Sequence, residues 1–118
     1  MMRTALWLCL LILLTGCSKH NEAYYQRELC ESLGGEMEYR LPDRSRVDCL
    51  TERYAIEVEF AKKWAEGIGQ SLYYAHESGR KPAIGIIVRD TQADRQRLRR
   101  LRTLSEPLHI RIFEIQGE

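Results

Sequence analysis

Residues 54–60 read Tyr-Ala-Ile-Glu-Val-Glu-Phe. In an extended chain this order sorts the side chains onto two faces, with Tyr54, Ile56, Val58 and Phe60 on one and Glu57 and Glu59 on the other. One face is apolar and ready to cover a core, while the other carries two neighbouring carboxylates. Directly after it, Lys62 to His76 repeats at helical spacing, burying Trp64, Ala65, Ile68 and Leu72, and Ser78-Gly79 stops it. Ala83 to Val88 is then continuously apolar, the pattern of a strand covered on both faces. Strand, helix and buried strand in succession predict a crossover between parallel strands.

Upstream, Asn21 is a helix cap for a segment running to about Leu33, with Tyr25, Leu29 and Leu33 on one stripe and Gly34-Gly35 at its end. Glu36 to Leu41 alternates, Pro42-Asp43-Arg44-Ser45 turns, and Arg46 to Leu50 returns, which predicts a hairpin. Downstream, Asp90 or Thr91 caps a helix to about Leu104 with Leu98, Leu101 and Leu104 inward, and Leu108 to Ile115 alternates as a last strand. The predicted order is αβββαβαβ. Antiparallel strands first and crossovers later imply an α/β fold, a mixed sheet flanked by helices.

The N-terminus has a different character. Met1-Met2-Arg3 is a short positive start, Ala5 to Leu14 is almost wholly apolar, and Leu14-Thr15-Gly16-Cys17 follows. Small residues before a cut and a thiol just after it resemble the bacterial lipobox. The apolar run falls short of the roughly 20 residues that span a bilayer. The resemblance implies a signal peptide over 1–16, lipid on Cys17, a membrane-proximal tether over 17–22 and a single domain over 23–118. Ser18 is not the aspartate that retains such lipoproteins at the inner membrane, so an outer-membrane anchor is expected, with the domain in the periplasm or at the surface.

Without Arg3, seventeen basic side chains face seventeen acidic ones. This balance supplies no global drive toward nucleic acid or anionic lipid, so such binding needs a local patch. Cys9 falls within the signal and Cys17 carries the lipid, leaving Cys30 and Cys49 in an oxidising compartment, where a disulfide is expected. Two cysteines without a nearby histidine make a poor zinc site.

Asp48 on the second strand, Glu57 on the third and Gln70-x-x-x-Tyr74 on the following helix together resemble the PD-(D/E)XK nuclease superfamily, in particular its RecB-type branch. The resemblance spans most of residues 22–115. It implies a restriction-endonuclease-like αβββαβαβ fold in which Asp48 and Glu57 hold Mg2+ or Mn2+, with Gln70 and Tyr74 facing the nucleotide or the metal shell. Hard cations take oxygen ligands, and two carboxylates from neighbouring strands can converge on one ion. Two residues after Glu57, where the family pattern has lysine, this chain has Glu59. Lys62 or Lys63 can reach back to supply the missing charge, or Glu59 can serve as a third metal ligand. Otherwise Asp48, Glu57 and Glu59 form a solvated strand face.

Arg95, Arg97, Arg99, Arg100 and Arg102 make the last helix basic. They suit a phosphate backbone, but equally a solvated face near a helix C-terminus, and no aromatic residues interleave for base stacking. Glu36 and Glu38 read as surface, and the scattered histidines suggest no dyad. Two functions follow as expectations: a membrane-tethered, metal-dependent phosphodiesterase acting on DNA or RNA, or a catalytically inert envelope lipoprotein that binds a partner.

Overall fold

A computed structural model describes residues 19–118. The expected signal peptide and the lipidated Cys17 lie outside the described residues. Helix α1 (Glu22–Ser32) is followed by strands β1 (Glu36–Arg40), β2 (Arg46–Leu50) and β3 (Tyr54–Phe60). A single 3-10 turn (Ala61–Lys63) leads into α2 (Trp64–Ser78), then β4 (Lys81–Val88), α3 (Gln92–Ser105) and β5 (Arg111–Gln116). The αβββαβαβ order is therefore present, in one five-stranded mixed sheet of order β1-β2-β3-β4-β5. The first three strands pair antiparallel, and β3, β4 and β5 pair parallel.

Local chemistry sets the element ends. The Asn21 side chain accepts from the Tyr24 N–H at 3.0 Å and caps α1, while the Thr91 hydroxyl accepts from the Asp94 N–H at 3.1 Å and caps α3. Gly79, at φ +69°, ends α2 in the left-handed region that glycine enters without steric cost. The two faces of β3 separate as its alternation requires. Ile56 and Val58 pack under α1 with Tyr25, Cys30 and Ile87. On the other side, Ile84, Ile86, Leu101 and Ile110 form a second cluster with Trp64, Ile68 and Leu98 beneath α2 and α3.

Three residues expected inside lie outside. Leu33 is exposed because α1 stops at Ser32, leaving Leu33 on the cap beyond the buried stripe. Ala65 and Leu104 are exposed because the inward stripes run through Gly67, Ser71 and Ala75 on α2, about a third of a turn from Ala65, and through Asp94, Leu101 and Ser105 on α3, about a quarter turn from Leu104. The last strand starts at Arg111 rather than Leu108, since residues 106–109 form a turn in which His109 takes φ +54°.

Cys30 and Cys49 are joined, fastening α1 to β2 with both residues fully buried. A closure of 19 residues in sequence restricts the unfolded chain by about 3 kcal/mol in the chain-entropy picture. Replacing both cysteines with alanine should lower the unfolding free energy by about that amount in chemical denaturation, and an unchanged midpoint would contradict it. Gly35 guards the same bridge. A Cβ there would stand 2.5 Å from Cys49 Sγ and 2.9 Å from Cys30 Sγ, so Gly35→Ala should cost roughly 1–3 kcal/mol through overpacking.

Candidate functional site

The site begins where the sheet comes apart. Pairing between β2 and β3 runs through Leu50–Ala55 and Cys49–Ile56 and stops, while β3 continues to Phe60. The next β3 amide available on that edge must find another acceptor. It finds the Asp48 side chain, whose Oδ2 accepts from the Val58 N–H at 2.8 Å. Opposite the same break, Glu38 on β1 takes φ +55°. Gln26 of α1, itself buried, spans both strands there. Its Nε2 donates to the Asp48 carbonyl at 2.9 Å and to Glu38 Oε1 at 3.0 Å. The result is a fork between β2 and β3, with α1 tied to β1 and β2 on one side of it.

Glu57 and Glu59 fall on the α2 side of β3, in register with Ile84 and Ile86. Each is only 6% exposed, so they are not a solvated strand face. Two of their oxygens, Glu57 Oε2 and Glu59 Oε2, are buried without a hydrogen-bond partner among the described residues. α2 closes over them at Gly67, where a Cβ would meet Glu59 Cγ at 3.5 Å.

Burial and mutual repulsion govern the protons here. Glu57, withdrawn from water and flanked by the Asp48 and Glu59 carboxyls, is pushed up to about 10. Burial raises Glu59 to about 7, helped by the Glu22 carboxyl and opposed by Lys63. Asp48 rises to about 6, because burial outweighs the stabilising Val58 N–H. Near neutral pH, Glu57 therefore holds a proton and can donate it to a neighbouring carboxyl, since both Asp48 and Glu59 lie within hydrogen-bonding reach. Fully ionised, the group would strand its orphaned oxygens in a low-dielectric interior.

Around this trio the structure assembles a rim. Glu22, in the first turn of α1, reaches Glu59 and is raised by burial against the pull of Lys63. Lys63 acts on both Glu22 and Glu59, lowering each. Tyr74 is half-buried, and its hydroxyl is raised by burial and then by Glu57 and Asp48. Gln70, four residues earlier, is exposed. The sequence reading therefore named Asp48, Glu57, Glu59, Lys63 and Tyr74, which share one neighbourhood, and missed Glu22, Gln26 and Glu38. A trace of Glu22 and Gln26 was available, since residues four apart share a helix face.

Among the described residues, no group of three or more His, Cys, Asp or Glu side chains stands in an arrangement that could hold a metal ion. The nearest cavity, about 170 Å³, is lined by Ala23, Gln26, Arg27, Met37 and Glu38. On α3 the arginines are largely engaged: Arg97 pairs with buried Asp94 at 2.8 Å, Arg95 with Asp90 at 2.7 Å and Arg102 with Glu114 at 2.6 Å. No protein-family model matches the chain, and no curated protein or solved structure is similar to it.

The raised carboxyls fix the sign of a pH dependence. Their folded values lie above the ordinary carboxyl range of about 4, so the folded state holds more protons than the unfolded state throughout the interval between. The stability they contribute is fully present below about pH 4 and is lost as pH rises through about 6 and 7 for Asp48 and Glu59, and later for Glu57. Unfolding free energy should thus fall between about pH 5 and pH 8, with a slope of up to about 1.4 kcal/mol per pH unit for each proton involved. Glu59→Gln should flatten that slope in denaturation curves. Stability that climbs over the interval would refute the assignment.

Proposed function

We propose that the chain is a membrane-anchored lipoprotein, acylated at Cys17, whose domain is a PD-(D/E)XK-like, metal-dependent phosphodiesterase acting on DNA or RNA. One observation carries this reading: three carboxyl groups from two diverging strands share a buried fork, in which two oxygens have no donor other than a proton passed among the carboxyls themselves. A hard divalent cation is a partner that can take the place of that proton. Asp48, Glu57 and Glu59 would hold Mg2+ or Mn2+, which when bound polarises a phosphate and activates water. Binding has to displace the proton kept by Glu57, so affinity should strengthen as pH rises.

The remaining roles fall to the rim. Lys63 stands close enough to act on Glu22 and Glu59, and supplies the positive charge that Glu59, in the usual lysine position, cannot. Tyr74 presents a protonated hydroxyl beside Asp48 and Glu57, suited to donating to a phosphate oxygen. Gln70, exposed on the same side of α2, is placed to meet the substrate rather than the metal.

A second reading has its own observation. The best-formed cavities among the described residues are lined by residues other than Asp48, Glu57 and Glu59, and no arrangement there could hold a metal ion. A proton-sharing cluster that never opens would make the domain an inert binding module of the envelope.

Metal titration separates the two. At ten times its dissociation constant, Mn2+ or Mg2+ should add about 1.4 kcal/mol, a rise of roughly 6–11 °C in Tm for a domain of this size. Asp48→Asn or Glu57→Gln should abolish the rise. Lys63→Met should keep it while slowing metal-dependent cleavage on the order of 10²-fold, and Lys62→Met should not. If the wild type shows neither a thermal shift nor cleavage of single- or double-stranded nucleic acid, the binding-module reading stands. The anchor is tested separately, since labelled palmitate entering a Cys17→Ser chain would dismiss it.

A further inference from the structure

The ends of the described chain meet at one pole of the domain. His20 stacks on Tyr24 with ring centroids 3.6 Å apart and 14° between planes, and its Nε2 lies 3.1 Å from Glu118 Oε1. Glu118 donates its N–H to the Tyr25 hydroxyl at 3.1 Å and accepts from Arg89 Nε at 3.2 Å. Arg89 in turn lies 4.9 Å over the Phe60 ring. This pole is where the parallel strands end, since Phe60, Val88 and Gln116 are the last residues of β3, β4 and β5.

Lysines are distributed unevenly about it. Beyond residue 16 the chain has four, Lys19, Lys62, Lys63 and Lys81. Lys62 and Lys63 follow the end of β3, and Lys19 precedes His20, so three share this pole. Lys81 begins β4, roughly 23 Å away along the strand at about 3.3 Å per residue. All four are exposed. Of the acids nearby, Glu118 lies 3.1 Å from His20 and Asp90 pairs with Arg95 at 2.7 Å, while Glu22 holds neither Lys62 nor Lys63 in an ion pair.

Tether length completes the case, and here the inference rests on the lipoprotein reading. Three residues separate Cys17 from His20, which is already packed into the fold, and an extended chain covers no more than about 3.6 Å per residue. His20 is therefore within roughly 11 Å of the lipid-bearing residue, and Glu22 within roughly 18 Å. The polar layer of a bilayer leaflet is about 5–7 Å deep, so this pole cannot clear it by more than a few ångströms.

We propose that this pole rests on the headgroups of the glycerophospholipid bilayer that holds Cys17, with Lys19, Lys62 and Lys63 against lipid phosphates and Tyr24 at the interface. Each lysine near an anionic surface strengthens the contact about fivefold, and aromatic rings with a polar edge favour this layer. The β2–β3 fork, whose rim includes Glu22 and Lys63, then faces substrate at the membrane surface and not in free solution.

Lysine footprinting tests this on the acylated full chain. The protein is reconstituted in vesicles of phosphatidylethanolamine and phosphatidylglycerol, and labelling by an amine-reactive acetylating reagent is compared with the same protein in detergent. Lys19, Lys62 and Lys63 should label several-fold more slowly in vesicles, while Lys81 keeps its rate. Reversing charge with Lys62→Glu should restore labelling of Lys63, whereas Lys19, two residues from Cys17, stays slow. Equal rates at Lys62, Lys63 and Lys81 in acylated protein overturn the docked pole and leave the anchor standing. Protein whose intact mass lacks an acyl chain removes the anchor, and the docking proposal with it.

Discussion

Two acidic residues on a buried face of the central strand are the constraint around which the domain is arranged. The same alternation that sends Ile56 and Val58 under α1 turns Glu57 and Glu59 toward α2, in register with Ile84 and Ile86. Both faces of the strand are covered, so a one-residue slip would only move the acids beneath α1 and the aliphatic residues beneath α2. The strand therefore cannot avoid burying carboxyls, and the surroundings have to accommodate them. They do so by retaining protons, by parting β2 from β3 and by bringing Lys63 to the rim.

The fork itself is held open by side chains standing in for backbone. Asp48 replaces a ladder carbonyl as the acceptor for Val58, and Gln26 joins α1 to β1 and β2 on one side of the break. The Cys30–Cys49 bridge lies one residue from Asp48 and secures the same helix to the same strand. A covalent tie and a pair of hydrogen bonds thus hold α1 at one separation from β2. This matters for a site whose chemistry depends on carboxyls from different elements being held within a fraction of an ångström.

Charge on the surface is deployed differently from charge in the fork. Three of the five arginines of α3 pair with Asp90, Asp94 and Glu114, and of these pairs Arg102–Glu114 joins the helix to a strand. Exposed pairs of this kind contribute little individually, but Asp94 is buried and also accepts the Arg89 N–H at 2.9 Å, closing the turn between β4 and α3. The lysines gather at the opposite kind of place, the pole nearest the chain's N-terminal segment.

Periodicity in residues 54–60, the cap residues Asn21 and Thr91, the breaker Gly79 and the apolar run in β4 were by themselves enough to determine the αβββαβαβ order, the mixed sheet and the side of β3 on which the acids lie. Those features are local, and steric and hydrogen-bonding rules act on them within a few residues. Only the tertiary structure decided that Glu57 and Glu59 are enclosed, that Glu22 and Gln26 belong to the site, and that the charge of Lys63 acts on Glu22 and Glu59. Burial depends on what covers a face, and the fork depends on where pairing between β2 and β3 stops. Both are set by contacts between segments far apart in the chain, which no spacing of residues along it encodes.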